Sequence, residues 1–229
     1  MLYIIITLLV LAASFFPQFW VRYTMRKYGS NLDDLPGTGG EFAKHLVHRY
    51  QLSGTNIEKS LDGQNYYDPV SNTVRLSPSN YDNKSLTAVA VAAHEVGHAI
   101  QFNRKETISQ LRGKYIPLSV QFKKMGAVML LTMPIVALIF KAPIVIGIFI
   151  GVSLLFQLIG VLMYLIVLPE EWDASFNKAL PILIEGEYLP DHQLNAVSKV
   201  LKAAALTYFA GALAEALNIG RWIVVLLKR

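Results

Sequence analysis

Apolar residues fall in blocks separated by polar stretches, and the blocks set the expected elements. Residues Met1 to Trp20 are almost all apolar, about the length that crosses a bilayer, with Phe16, Phe19 and Trp20 gathered at the far end and Pro17 as an expected kink. Arg22, Arg26 and Lys27 follow directly, and no positive residue precedes the run. That order predicts an uncleaved transmembrane anchor over residues 1–21, its N-terminus outside, rather than a signal peptide. From Tyr28 to Gln51 the chain is polar, and Thr38 followed by Glu41 predicts the start of a helix running from about Gly40 to Tyr50. His45 and His48 lie three apart on it, which an exposed amphipathic face explains without a metal.

Residues Thr55 to Ser77 read as a small sheet, with Tyr67-Asp68-Pro69 leading into a turn around Val70 to Asn72. Pro69 argues against an inner position, and Thr73 to Ser77 is expected as an edge strand whose free backbone groups could pair with an extended peptide. A plain hairpin closing a core fits the same residues. Leu86 to Gln101 is apolar and alanine-rich, a buried helix capped by Ser85. Phe102 to Lys124 is basic and amphipathic, expected to lie along the membrane surface and to end its helix at Pro117. Met125 to Leu168 carries a single charge, Lys141, in the turn-like Lys141-Ala142-Pro143, which predicts two spans joined as a hairpin. Gln157, inside the second span, is expected to bond a neighbouring helix. Residues 169–202 return to mixed polarity. Residues 203–227 are apolar again, interrupted by Glu215, Asn218 and Arg221, and predict a transmembrane or interfacial helix.

Composition sharpens the class. With 53% hydrophobic residues and a positive mean hydropathy, a 229-residue chain is expected to be a multi-pass membrane protein. There is no cysteine, so disulfides, thiolate ligands and cysteine nucleophiles are excluded together. The net charge of +5 comes largely from residues flanking apolar segments, among them Arg22, Arg26, Lys27, Lys123 and Lys124. Charge so placed sets orientation rather than nucleic-acid binding, and puts the polar regions on the cytoplasmic side of a bacterial-type cell membrane.

The chemistry sits in the buried helix. His94, Glu95 and His98 form the pattern HEXXH, the sequence signature of a catalytic zinc site. Residues four apart on a helix share a face about 6 Å apart along the axis, so both imidazoles can reach one tetrahedral ion, with Glu95 beside its water. Gly97 leaves room for another backbone to pass close. With cysteine absent the third ligand must be histidine or carboxylate, and Glu170 and Glu171, after the apolar hairpin, are the two candidates.

The block from Tyr66 to Gln101, Pro169-Glu170-Glu171-Trp172-Asp173-Ala174-Ser175, and Lys199 to Leu213 together resemble the YugP-like membrane zinc metallopeptidases over nearly the whole chain. HtpX and the CAAX-prenyl endopeptidases are more distantly similar, sharing HEXXH and a later helix that opens Glu-aromatic-x-Ala. That register implies Glu171 rather than Glu170 as third ligand, with His94 and His98 on one Zn2+ ion and Glu95 as general base. Tyr66 stands where relatives often carry histidine, and Ser175 where the distant ones carry aspartate.

The resulting expectation is a mainly α membrane protein. An α+β gluzincin-like zinc domain with a small edge-strand sheet joins three or four transmembrane helices. Residues 28–124 form the catalytic region, 125–168 the hairpin and 169–202 the third-ligand helix. The expected reaction is zinc-dependent hydrolysis of peptide bonds: the ion lowers the pKa of its water toward about 7 and Glu95 moves the proton. A peptide or protein substrate, membrane proteins included, would lie along Val74, Arg75, Leu76 and Ser77, with Tyr208 and His192 as candidates to stabilise the oxyanion. Membrane lipid is the other expected partner and nucleic acid is not one. The alternative is a membrane scaffold or adaptor with a structural or vestigial zinc site, against which Glu95 is still present. A transporter would need more ionisable groups in the spans.

Overall fold

The structure is a computed structural model that describes residues 2–213. Two compact units make it up. One combines Phe19–Gln110 with Leu168–Thr207; the other is formed by Leu111–Val167 with the described residues up to Gln18 and from Tyr208.

The first unit is organised around α4, Leu86–Asn103, which is buried on every side from Leu86 to Gln101. Alanine and valine build this helix, and a helix apolar all round must be enclosed. Ser85 caps it as expected, its side chain accepting from the Ala88 N–H at 3.1 Å. Helix α2, Gly39–Arg49, lies against it and begins with the expected capping box. The Thr38 N–H donates to Glu41 Oε2 at 2.8 Å, and the Glu41 N–H to Thr38 Oγ1 at 3.3 Å. Ala43 and Leu46 point from α2 into the shared core. A single turn, α3 (Pro78–Tyr81), leads from the sheet toward α4.

The sheet has strands β1 (Asn56–Lys59), β2 (Tyr66–Asp68) and β3 (Thr73–Leu76) in the order β1-β3-β2. β3 pairs parallel with β1, Ile57 opposite Val74, and antiparallel with β2, Tyr67 opposite Val74. The expectation of an edge strand at Thr73–Ser77 is therefore corrected: β3 is the central strand, its backbone engaged on both sides. The physical reason is its side chains. Thr73, Val74 and Leu76 are all buried, which a middle strand allows and an edge strand rarely does. Pro69 closes β2, and β2 is an edge, as a proline-bounded strand should be. Arg75 ties the three strands together, its Nη1 2.8 Å from Asp68 on β2 and its Nε 3.2 Å from Glu58 on β1. Hydrogen bonds from Ser71 and Arg75 hold the Asp68 carboxyl down at about 2.

Past α4, a 3-10 turn at Thr107–Ser109 precedes α5, Gln110–Phe140. This helix continues through Pro117, so the helix end expected there is corrected. Proline cannot donate to the carbonyl four residues back, but the helix on either side absorbs that loss. Lys141, at φ 49°, makes the turn into α6, Pro143–Trp172. Inside the second unit the two helices meet through small residues. Ser119 Oγ donates to the Gly160 carbonyl at 2.7 Å, and a Cβ on Gly160 would stand 2.9 Å from the Ser119 carbonyl. Lys123 Nζ donates to Tyr164 Oη at 2.9 Å.

Leu131, Leu138, Ile144 and Ile148 remain exposed. Each large apolar side chain left in water forgoes about 1.5–3 kcal/mol, so this exterior is costly in water. α5 and α6 are the two described helices long and apolar enough to cross a membrane. Helix α1, Leu2–Lys27, covers the expected anchor, with Pro17 inside it. The side chains of most of that anchor, and the interrupting residues Glu215, Asn218 and Arg221, lie outside the described part.

α6 passes through Pro169 into a π-helical segment, Asp173–Ala179, followed by α7, Leu180–Glu185, and α8, Asp191–Ala205. Glu171 thus stands near the end of a long helix rather than opening one.

Candidate metal centre

His94 and His98 project from the same side of α4, their rings edge to face with centroids 4.7 Å apart. Both are buried, as are Glu95, Glu170 and Glu171. The Nε2 atoms of the two histidines converge on one oxygen, Glu171 Oε2, each at 3.3 Å. Ligand atoms of His94, Glu95 and His98 also lie within 4.8 Å of one another.

What lets Glu171 come so close is a glycine. A Cβ on Gly97 would stand 2.7 Å from the Ala174 carbonyl, so only the bare backbone of α4 permits the π segment to cross there. The π winding is marked by the Leu180 N–H donating to the Ser175 carbonyl, five residues back. Ser175 is fully buried and makes two bonds: its Oγ donates to the Leu201 carbonyl on α8 at 3.1 Å and stands 2.9 Å from His94 Nδ1. With its one proton committed to a carbonyl, Ser175 accepts from His94 Nδ1–H. In the neutral ring this leaves the lone pair of Nε2 toward Glu171.

A carboxylate oxygen 3.3 Å from two imidazole nitrogens is satisfied either by protons on the rings or by a cation held between them. Four ligands about 2.0–2.1 Å from one tetrahedral zinc ion stand about 3.3 Å from each other, so the observed separations fit such an ion held by His94, His98 and Glu171. Glu95 Oε2 is buried with no hydrogen-bond partner among the described residues, so a buried acceptor is left beside the two histidines. The donor set and its spacing therefore fit zinc.

Glu170 points elsewhere: its carboxylate is 3.9 Å from His98 Nδ1 and its carbonyl accepts from Gln101 at 3.1 Å. Gln101 is the participant that sequence reasoning missed. Its place one helical turn after His98, on the same face, was the available signal.

The expected substrate strand is engaged within the sheet and the core. Val74 and Leu76 are core residues, Arg75 is engaged with Asp68 and Glu58, and the Ser77 N–H donates to Asn65 Oδ1 at 2.9 Å. His192 is exposed on the first turn of α8, outside the buried cluster. Tyr208 belongs to the second unit, where its ring stacks on Tyr164 at 6.0 Å.

Comparison with known proteins adds an independent finding. The family described as "Putative neutral zinc metallopeptidase" matches residues 3–227. The chain is 32% identical over 231 residues to the "Putative membrane protease YugP" of Bacillus subtilis (strain 168), covering 100% of this chain and 98% of that one. No solved structure matches it.

Proposed function

The chain belongs to that zinc metallopeptidase family, and from this premise we propose that it is a membrane-embedded, zinc-dependent endopeptidase of the gluzincin type. The observation that carries the reading is the convergence of two imidazole nitrogens and one carboxylate oxygen at 3.3 Å beside the unpartnered oxygen of Glu95. In it His94, His98 and Glu171 hold the ion. When bound there, zinc supplies Lewis acidity toward a peptide carbonyl and a water acidic enough to be deprotonated near neutral pH.

The remaining work falls to the chain. Glu95 accepts the water's proton and returns it to the departing amine. Ser175 keeps His94 oriented, and the buried surroundings exclude bulk water and strengthen these charges. The substrate is a peptide or protein, membrane proteins included. The basic residues before the hairpin favour a cytoplasmic site, with Lys141 in the external turn.

The test compares wild type with Glu95→Gln, measuring zinc by elemental analysis and cleavage of an unfolded protein. We expect the variant to keep its zinc and to lose about 10²–10⁴-fold in turnover. Undiminished cleavage in a preparation free of other proteases would remove Glu95 from this role.

A further inference from the structure

Each ligand imidazole has a second nitrogen, and for His98 the group that answers it is Gln101. This residue is fully buried, and its amide has three neighbours. Oε1 lies 2.9 Å from His98 Nδ1, while Nε2 donates to the Glu170 carbonyl at 3.1 Å and to Asp173 Oδ2 at 2.8 Å. A carbonyl and an ionised carboxylate accept and never donate, so both must face the NH2 end of the amide. The reversed amide would set its oxygen against two other oxygens. With Oε1 thus turned to His98, Nδ1 must carry a proton, and in the neutral ring Nε2 keeps its lone pair toward Glu171. Asp173 is itself held in place, accepting from Asn177 Nδ2 at 2.8 Å and paired with Lys178 Nζ at 3.1 Å. Lys178 in turn reaches Glu106 at 3.1 Å.

From this geometry we infer that Gln101 is a positioning residue, which locks His98 in the tautomer that offers Nε2 to the metal and takes its own orientation from Glu170 and Asp173. The inference rests on the cluster being a metal centre. It adds that the support of His98 is a neutral amide, with the nearest carboxylate of Glu170 too distant, at 3.9 Å, to replace it.

The experiment measures zinc affinity of the full chain in detergent by competition with a chromophoric chelator. Q101M, similar in volume but with no donor and only a weak thioether acceptor, should lose about 10–100-fold in affinity. Unchanged affinity in Q101M would overturn the inference while leaving the metal centre standing. A wild-type chain that binds no zinc would overturn the metal reading first and this one with it.

A measurement on wild type alone covers the case in which Q101M does not fold. Long-range 1H–15N spectra of the zinc-loaded chain, labelled at histidine and assigned with variants of His45, His48 and His192, should show His98 protonated at Nδ1. A His98 protonated at Nε2 would overturn the inference outright.

Discussion

His94 and His98 stand four residues apart on one helix, whereas Ser175 and Glu171 reach them from 81 and 73 residues further along the chain. The near side needs little beyond helix periodicity, a cap at Ser85 and burial. The far side needs a glycine at position 97, a backbone laid across it, and a π turn that brings Ser175 between His94 and the Leu201 carbonyl. The lesson is that a metal centre can have one side written locally and the other assembled by packing, and the two should fail differently.

Glu171→Ala attacks the far side most directly. We expect the metal to fall from about one zinc per chain to near none, with cleavage abolished and α4 still folded, as elemental analysis and circular dichroism would register. Wild-type zinc content in that variant would mean the near side suffices. Gly97→Val pushes the sides apart, because its Cβ meets a carbonyl oxygen at 2.7 Å. It should cost about 1–3 kcal/mol of stability and weaken zinc binding together, read by thermal unfolding with and without metal. Ser175→Ala is gentler. It strands the Nδ1–H of His94, costing about 1–3 kcal/mol, and should reduce zinc affinity by about 10-fold with the fold kept.

The smallest effect isolates the sheet from both sides. Asp68 titrates at about 2 in the folded chain against an ordinary 3.8, so as pH falls the unfolded chain takes up its proton first. Its contribution is complete above about pH 4 and fades as pH drops toward about 2. Asp68→Asn should flatten that part of the stability profile by less than about 1 kcal/mol, the site being partly exposed, and leave zinc affinity alone. A change in zinc affinity would show that the sheet and the metal centre are coupled.

How far the sequence could be read follows the same division. The helix carrying His94 and His98, its serine cap, the Thr38–Glu41 capping box and the turn at Lys141 all depend on neighbours within a few residues, and each was visible; at Gly97 only the room for a close approach was, not the Ala174 backbone that fills it. Glu171 was separable from Glu170 only through likeness to relatives, because both stand at the end of one apolar helix and either carboxylate satisfies the chemistry. The central place of β3 was hidden, since a parallel partner, β1, lies beyond an intervening strand and no local signal records it. Pro117 misled because a helix long enough to cross a bilayer tolerates the bond it removes. Gln101 was legible only in part: its spacing from His98 is local, but Glu170 and Asp173, which fix the direction of its amide, are distant in sequence.

The π segment has a consequence of another kind. A π turn is an α-helix with one residue too many, taken up in a wider turn. Removing one residue from Asp173–Ala179 would let the segment rewind to regular α geometry with α7 nearly in phase, so the loss would fall inside the turn, where Ser175 stands between His94 and the Leu201 carbonyl.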